Sequence, residues 1–164
     1  FTPGNYSFSA GTCKATGTYS QASGYWTVAV GAYAHAEGTG TQANGPASHA
    51  EGDTTTASAL GSYAEGLDTQ STSMSTHAEG SGSVASGRFA HAGGLQTVAC
   101  GKSSHVFGEY NVADGNQHEY ERGSYVEIVG NGTADNARSN ARTLDWAGND
   151  VYCQQQLSRM VTRN

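Results

Sequence analysis

Glycine recurs at every seventh residue over most of this 164-residue chain. The series starts at Gly17 and ends at Gly115, and only Ala59 and Ser73 interrupt it. Alanine stands two residues before almost every slot, and serine or threonine usually stands four residues before it. The unit [Ser/Thr]-x-Ala-x-Gly-x-x indicates a repeat architecture, in which each unit packs against its neighbours along the chain.

A seven-residue period is also that of a coiled coil, but glycine would cost a helix about 1 kcal/mol in every heptad. The heptads also lack the leucine pattern of a coiled-coil core. In a strand, the Ser/Thr, Ala and Gly positions project to one face. The repeat therefore predicts short strands around a thin core, each ended by a glycine that permits the bend which the next two residues complete. These strand-end glycines are Gly24, Gly31, Gly38, Gly45, Gly52, Gly66, Gly80, Gly87, Gly94 and Gly101.

Consecutive heptads differ, so the full repeat spans two heptads, or 14 residues. Alternate heptads read His-Ala-Glu-Gly, as at 35–38, 49–52 and 77–80, whereas the intervening heptads vary. Two short strands per coil, stacked at ~4.8 Å per coil, make a parallel β-solenoid. The repeats hold about seven coils and predict a rod roughly 35 Å long.

The composition agrees with a narrow core and excludes other classes. Glycine supplies 23 residues, and hydrophobic residues make up only 36%, which is too little for a thick aliphatic core. The aromatic content of 9% and the net charge of −6 argue against disorder. No stretch approaches the ~18 apolar residues of a membrane span, and an acidic chain has no basic surface for nucleic acid. We therefore expect no membrane insertion and no nucleic-acid partner.

A single roll buries little surface and leaves strand edges at both ends. Oligomerisation about the solenoid axis would bury one outer face and compensate for the narrow core. We therefore expect the chain to work as an oligomer.

Three of the variable heptads carry a family resemblance: Thr27-Val-Ala-Val-Gly31, Ser83-Val-Ala-Ser-Gly87 and Thr97-Val-Ala-Cys-Gly101. They resemble the Asn-Ser-Val-Ala-Ile-Gly-like motif in the head repeats of YadA-type trimeric adhesins. The Ser48-His-Ala-Glu-Gly52 form departs from that motif and is similar to repeats in tail-fibre and prophage proteins of Gram-positive bacteria. Residues 129–149 also resemble segments of such phage proteins. The resemblance implies a left-handed parallel β-roll of 14-residue coils, packed as a homotrimer.

The heptad pattern stops after Gly115, and a different region follows. Residues 124–129 alternate well enough for a strand, 130–133 carry a turn signal, and 140–146 with 151–156 predict a hairpin. We expect three parts: an N-terminal lead-in over 1–10, YadA-head-like β-roll repeats over 11–117, and a small C-terminal β cap or neck over 118–164. The cap would cover the exposed end of the solenoid.

One face of the predicted roll carries a ladder of imidazole and carboxylate side chains. Its histidines are 14 or 28 residues apart, so they stack in one column with the glutamates beside them. The ladder comprises His35, Glu37, His49, Glu51, Glu65, His77, Glu79, His91 and His105. Imidazole and carboxylate are metal ligands, but metal sites rarely repeat at every coil. We expect a structural ladder of His–Glu pairs, with no metal and no other cofactor.

Aromatic residues occupy corner positions after the glycines, namely Tyr25, Trp26, Tyr33, Phe89 and Tyr110. Exposed aromatic side chains can stack on sugar rings or fill protein pockets, and they can instead pack between neighbouring chains. The His-Ala-Glu-Gly half is the more uniform one, which favours the ladder face as the face that meets the trimer axis. The valine-bearing face is the alternative.

Cys13, Cys100 and Cys153 are odd in number and widely spaced. They form no Cys-x-x-Cys pair, so the sequence predicts neither a zinc site nor a redox motif. Unpaired thiols are the simpler interpretation, and interchain bridges are the alternative.

Serine, histidine and glutamate recur with the repeat and form no single distinctive group of catalytic residues. Nucleophilic catalysis needs one activated side chain and an oriented base. We therefore expect no enzyme. The resemblance implies a structural and adhesive fibre module, extracellular or at the virion surface. A phage or prophage tail fibre or receptor-binding spike fits, contacting a glycan or protein receptor on a bacterial cell. A bacterial surface adhesin head is the alternative, and a glycan-active enzyme a distant one.

Overall fold

A computed structural model describes residues 6–115 and 121–152. Within these residues the protein is an all-β solenoid of about 7 turns, as the repeat predicts. The strands are β1 Phe8–Ala15, β2 Gln21–Ala29, β3 His35–Thr39, β4 Gln42–Ala43, β5 His49–Asp53, β6 Thr56–Ala57, β7 Tyr63–Leu67, β8 Gln70–Ser71, β9 His77–Ser81, β10 Val84–Ala85, β11 His91–Leu95, β12 Val98–Ala99, β13 His105–Glu109, β14 Tyr125–Asn131, β15 Asn140–Asp145 and β16 Asp150–Tyr152. A short 3-10 helix, Asp135–Ala137, precedes β15.

Successive coils pair in parallel, and equivalent heptad positions lie above one another. The odd-numbered strands from β3 to β13 form one column, and the short even-numbered strands from β4 to β12 form a second. The register joins His35 to His49 and His49 to Tyr63. β2 pairs with both β3 and β4, so the two columns form one continuous sheet.

The core of the solenoid consists of alanine and small hydroxyl residues. The repeat alanines from Ala15 to Ala99 are fully buried, and the repeat serines and threonines lie buried beside them. At the corners, buried hydroxyls donate to a carbonyl three residues earlier, as Ser48 Oγ does to the Gly45 oxygen at 2.7 Å. These bonds satisfy polar groups that burial would otherwise leave unpaired. The prediction that the small side chains face a thin core is confirmed.

Two columns of glycine run along the solenoid where consecutive coils approach closely. The first comprises Gly17, Gly31, Gly45, Gly87 and Gly101, and the second Gly24, Gly38, Gly52, Gly66, Gly80, Gly94 and Gly108. A Cβ atom on Gly52 would overlap the carbonyl oxygen of Gly66 in the next coil. The second column also has left-handed φ angles, +105° at Gly52, which side chains rarely adopt. This added constraint explains why both interruptions of the series, Ala59 and Ser73, fall in the first column.

The bend of each coil lies two residues after the glycine slot. Left-handed φ angles there include 60° at Tyr33, 52° at Ala47 and 61° at Phe89. The predicted bend over the two residues after each glycine is therefore present, whereas the glycine is not always the last residue of its strand. Gly38, for example, lies inside β3. At the glycines of both columns an added Cβ atom would overlap the next coil, whereas Ala59 and Ser73 show that the first column accommodates a small side chain at two coils.

The first strand begins before the heptad series. β1 starts at Phe8, whereas the sequence pattern predicts repeats from residue 11. Its register with β2 shifts between Thr12 and Lys14. The repeat therefore slips by one residue there, and a search at a fixed period misses the start of this strand. Residues 1–5 of the predicted lead-in lie outside the described residues.

The C-terminal segment adds three strands to the end of the solenoid. β14 pairs in parallel with β13, and β15 and β16 follow in antiparallel order. Ile128 of β14 pairs with Val106 of β13, and both side chains are fully buried. The predicted strand over 124–129 and the start of the hairpin are confirmed. Residues 116–120 and 153–164, including the predicted hairpin residues 153–156, lie outside the described residues.

Arg138 attaches the C-terminal strands to the last coils. Its Nη1 donates to the backbone oxygens of Gln96 at 2.8 Å and Asn111 at 3.2 Å. Its Nη2 pairs with Asp135 at 2.6 Å, and the guanidinium carbon lies 5.6 Å from the centre of the Tyr110 ring. These charge-assisted contacts hold the cap against the solenoid.

Cys13 and Cys100 are free thiols. Cys100 is buried, and its burial raises the pKa of its thiol. Cys153 lies outside the described residues, so the prediction of interchain bridges stays open.

Candidate functional site

The histidine ladder is a continuous stack of rings. Because the coils pair in register, each ladder ring lies over the next, from His35 to His105, with neighbouring centroids 4.7 to 4.8 Å apart. Tyr63 is a rung of this stack that the sequence analysis left out of the ladder. Its position 14 residues after His49 and 14 before His77 is the signal that could have placed it there.

The glutamates pair with the ladder, and Tyr63 divides the pairing into two patterns. Before Tyr63, His49 Nε2 lies 3.5 Å from the carboxylate of Glu51 in its own coil. After Tyr63, His77 Nε2 lies 3.1 Å from Glu65 in the preceding coil. The other pairs follow the same division: His35 with Glu37 at 3.8 Å and His91 with Glu79 at 3.3 Å.

The Tyr63 hydroxyl accounts for this change of direction. It lies 2.8 Å from Glu51 Oε1 and 3.0 Å from Glu65 Oε2 and donates to one of them at a time. Burial and these hydrogen bonds raise the pKa of Tyr63, so the hydroxyl keeps its proton. The predicted pairing of histidine with neighbouring glutamate is thus present at four rungs. At the last rung His105 instead contacts the Phe107 ring, at 5.4 Å between centroids.

Two histidines of the ladder resist protonation. Burial lowers the pKa of His49, and the neighbouring His35 lowers it further. Burial likewise lowers the pKa of His91, with His77 and His105 adding to the effect. The Nε2 atoms of both are shielded from solvent, and the nearest carboxylate oxygens, those of Glu51 and Glu79, lie 3.5 and 3.3 Å away. Protonation would place positive charges on neighbouring stacked rings.

We expect acid to destabilise the fold through these two rings. Their folded-state pKa values lie below the ordinary value of 6.5, so the unfolded chain binds more protons once the pH falls through 6.5. The free energy of unfolding therefore decreases from that pH downward. Melting temperatures measured between pH 7.5 and pH 5 should fall, and should fall less in a His49→Tyr/His91→Tyr variant. Tyr63 shows that tyrosine fits the stack, and equal pH dependence in the two proteins would contradict the prediction.

The ladder brings together two groups of metal-ligating side chains. His77, Glu79 and His91 place ligand atoms within 4.8 Å of one another, as do Glu37, His49 and Glu51. The rings of His77 and His91 are parallel to within 2° and 4.7 Å apart. Imidazole lone pairs lie in the ring plane, so two parallel, separated rings cannot both point at one ion. The stacked geometry thus favours the structural role, since metal binding by both rings would require them to leave the stack.

The carboxylates also face an open groove beside the ladder. The groove has a volume of about 640 Å³ and is lined by the second glycine column and by Glu37, Glu51, Glu65 and Glu79. The groove is a consequence of the glycines, because no side chain fills the space next to each glutamate.

The predicted aromatic residues lie on both long edges of the solenoid. Tyr33 and Phe89 share one edge, but Ala47, Gly61 and Ser75 separate them along it. Tyr33 instead stacks on Tyr19 at 5.4 Å between ring centroids. On the opposite edge Tyr25 stacks on Trp26 at 5.5 Å, while Tyr110 lies at the far end against Arg138.

Two further aromatic residues lie beside Tyr25, Trp26 and Tyr33, and the five together form the N-terminal aromatic group. Tyr19 also stacks on Tyr6, at 5.1 Å, and both rings are exposed. The sequence analysis missed both. Tyr19 lies 14 residues before Tyr33, which would have identified it, whereas the register slip in β1 hides Tyr6. The N-terminal coils thus concentrate exposed aromatic side chains on both edges.

Comparison of the chain with protein-family models, curated proteins and solved structures gives no match. The resemblance to YadA-type heads and tail fibres therefore depends on the heptad motifs and on the segment 129–149 alone. Within residues 6–115 and 121–152, no helix has the length and apolar character needed to cross a bilayer.

Proposed function

We propose that this chain is a structural and adhesive fibre module, without catalytic activity, that works as a homotrimer. Each copy would form a left-handed β-roll of 14-residue coils. The trimer would be part of a phage or prophage tail fibre or receptor-binding spike, at the virion surface, and would contact a bacterial cell through a glycan or protein receptor.

The distribution of apolar side chains carries this proposal. The apolar residues of the solenoid core are almost all alanine, whereas Trp26, Tyr33 and Leu67 are 65%, 65% and 51% exposed. The exposed rings of Tyr6, Tyr19 and Tyr33 stack on one another, and a contiguous exposed apolar surface marks a site of interaction with other molecules. A roll with so thin a core gains much of its stability when a partner covers that surface.

The ladder supports the assignment of its face to the trimer axis. Its His-Ala-Glu-Gly heptads are the more uniform half of the repeat, and an interface between copies tolerates less variation than a face in contact with solvent. The valine-bearing face, with Val28, Val84 and Val98 half-buried, is the alternative.

The N-terminal aromatic group is the surface proposed to contact the receptor. Tyr6, Tyr19, Tyr33, Tyr25 and Trp26 are all exposed and lie at one end of the rod. Tyrosine and tryptophan supply a large apolar face with a polar tip, which suits both sugar rings and protein surfaces.

A bacterial surface adhesin head is the second candidate. The Val-Ala-x-Gly heptads that end at Gly31, Gly87 and Gly101 favour it, since they resemble adhesin heads most closely. Both candidates share the trimeric roll and the adhesive role. They differ in the neighbouring genes, which encode tail components only in the first case.

Light scattering combined with binding to whole cells and a glycan array tests the proposal. We expect a mass near three times the 16.9 kDa of one chain, and binding that falls about tenfold or more in a Trp26→Ala/Tyr33→Ala variant, since each aromatic contact contributes roughly 1 kcal/mol. Tyr152→Ala, an exposed aromatic change in the cap, is the matched control. A 16.9 kDa species would refute the trimer, and turnover of cell-wall polysaccharide would favour the enzyme alternative.

A further inference from the structure

The two long edges of the solenoid carry opposite charges. The aromatic–basic edge consists of residues 18–19, 32–33, 46–47, 60–61, 74–75, 88–89 and 102–103, and the acidic edge of residues 25–26, 39–40, 53–54, 67–68, 81–82, 95–96 and 109–110. The aromatic–basic edge contains Arg88 and Lys102 and no carboxylate. The residues of the acidic edge include Asp53, Asp68 and Glu109 and no cation, although Arg138 of the cap lies over Tyr110 at its far end. Strand alternation does not require this segregation, because corner residues point away from the core on both edges.

Residues at the same height along the rod, which we call one level, can also match in chemistry between the two edges. Leu60 precedes β7 and Leu67 is its last residue, so the two lie on opposite edges of one coil, and they are 48% and 51% exposed. Two coils further on, the positions equivalent to Leu60 and Leu67 hold Arg88 and the half-buried Leu95, with the exposed Phe89 next to Arg88.

In the coil after that, the matching pair is charged. Lys102 precedes β13 and Glu109 is its last residue, so the two lie on opposite edges. Neither makes an ion pair with another residue in the part of the chain that the structure describes. Each pair is separated by the width of its own roll, so its members can meet only between copies.

We propose that the aromatic–basic edge of one copy packs against the acidic edge of the next copy around the trimer, so that residues of the same level face each other. This inference rests on the homotrimer of the proposed function. Copies related by rotation about an axis parallel to the solenoid must join unlike edges, and a closed ring brings equal levels together. Leu60 then meets Leu67 of the partner subunit, and Lys102 meets Glu109 of the partner subunit, so apolar area is complementary at one level and charge at another.

The same packing makes the N-terminal aromatic group a site shared by two copies. Tyr19 lies on the aromatic–basic edge at the level where Tyr25 and Trp26 lie on the acidic edge. Edge pairing brings Tyr19 and Tyr33 of one copy beside Tyr25 and Trp26 of the partner subunit. The receptor surface is then present in three copies and is incomplete in a single chain.

Cysteine cross-linking tests the pairing. A Leu60→Cys/Leu67→Cys variant places a thiol on each edge at one level, and mild oxidation should convert it into covalent trimers on a non-reducing gel. Each single substitution should add no band to those of the unmodified protein, whose own thiols set the baseline. Leu60→Cys/Leu95→Cys is the matched control, because its levels differ by two coils, about 10 Å, beyond the reach of a disulfide.

The outcomes separate this inference from the proposed function. A trimeric mass without cross-links from the matched pair, or with equal cross-links from the control pair, would overturn edge pairing and leave the trimer standing. A single-chain mass would overturn both.

A charge exchange gives a second measurement if the cysteine variants fold poorly. Lys102→Glu should weaken trimer association about fivefold, the scale of one ion pair, and adding Glu109→Lys should restore it. No restoration would count against the pairing.

Discussion

Replacing Gly52 with alanine is expected to lower the apparent melting temperature by roughly 5–20 °C, the equivalent of about 2–5 kcal/mol. Two costs combine at this position. The added Cβ atom overlaps the carbonyl oxygen of Gly66 in the next coil, and such overpacking costs about 1–3 kcal/mol. The φ angle of +105° adds strain of about 1–2 kcal/mol for a residue with a side chain. Thermal unfolding followed by circular dichroism measures the change.

Gly61→Ala is the matched control for this prediction. Gly61 also has a left-handed φ, +62°, but the nearest atom to an added Cβ is Ser75 Oγ at 3.6 Å. The equivalent position one coil earlier is occupied by Ala47 at a similar φ. The control should therefore lose no more than about 1–2 kcal/mol. If the two variants melted together, close coil approach would not be the reason for the glycine columns.

Replacing Ile128 with alanine is expected to destabilise the C-terminal cap by about 2–5 kcal/mol. Ile128 and Val106 are the largest fully buried side chains among the described residues, and they join the first cap strand to the last coil. Truncation leaves a cavity that the two paired strands cannot close. Trp146 donates from its indole nitrogen to the Gly123 oxygen at 2.9 Å, so its fluorescence reports on the cap.

The measurement uses a Trp26→Phe background, in which Trp146 is the remaining tryptophan of the two in the chain. Val151→Ala is the control, since Val151 is an exposed apolar residue of the same region and should cost no more than about 0.5 kcal/mol. We expect the Trp146 transition to occur at a lower temperature in the Ile128 variant alone. An unchanged transition would show that the cap does not depend on this contact.

The glycine series illustrates how far the sequence could lead. Its period predicted stacked strands, and alternation within each heptad predicted that Ala50 and Ser48 would face the core, as they do. The period could not reveal why glycine is needed. Gly31 and Gly52 look alike in sequence, but only Gly52 combines close approach with a left-handed φ. That difference depends on the path of the chain in three dimensions.

The candidate site shows the same division. Spacing alone predicted that the ladder histidines stack, because residues at equal positions in a parallel solenoid must lie above one another. It could not show that Tyr63 bridges Glu51 and Glu65 or that the direction of pairing changes there. Those contacts depend on side-chain length and orientation, which the repeat does not specify.

The sequence by itself therefore determined the solenoid, its core and the column in which each side chain stands, because a period imposes the same environment on every coil. The tertiary structure decided what breaks the period: the register slip that brings Tyr6 onto Tyr19, and the cap closed by Ile128 and Arg138. These features depend on where the chain bends and ends, and bends bring together residues whose spacing carries no periodic signal.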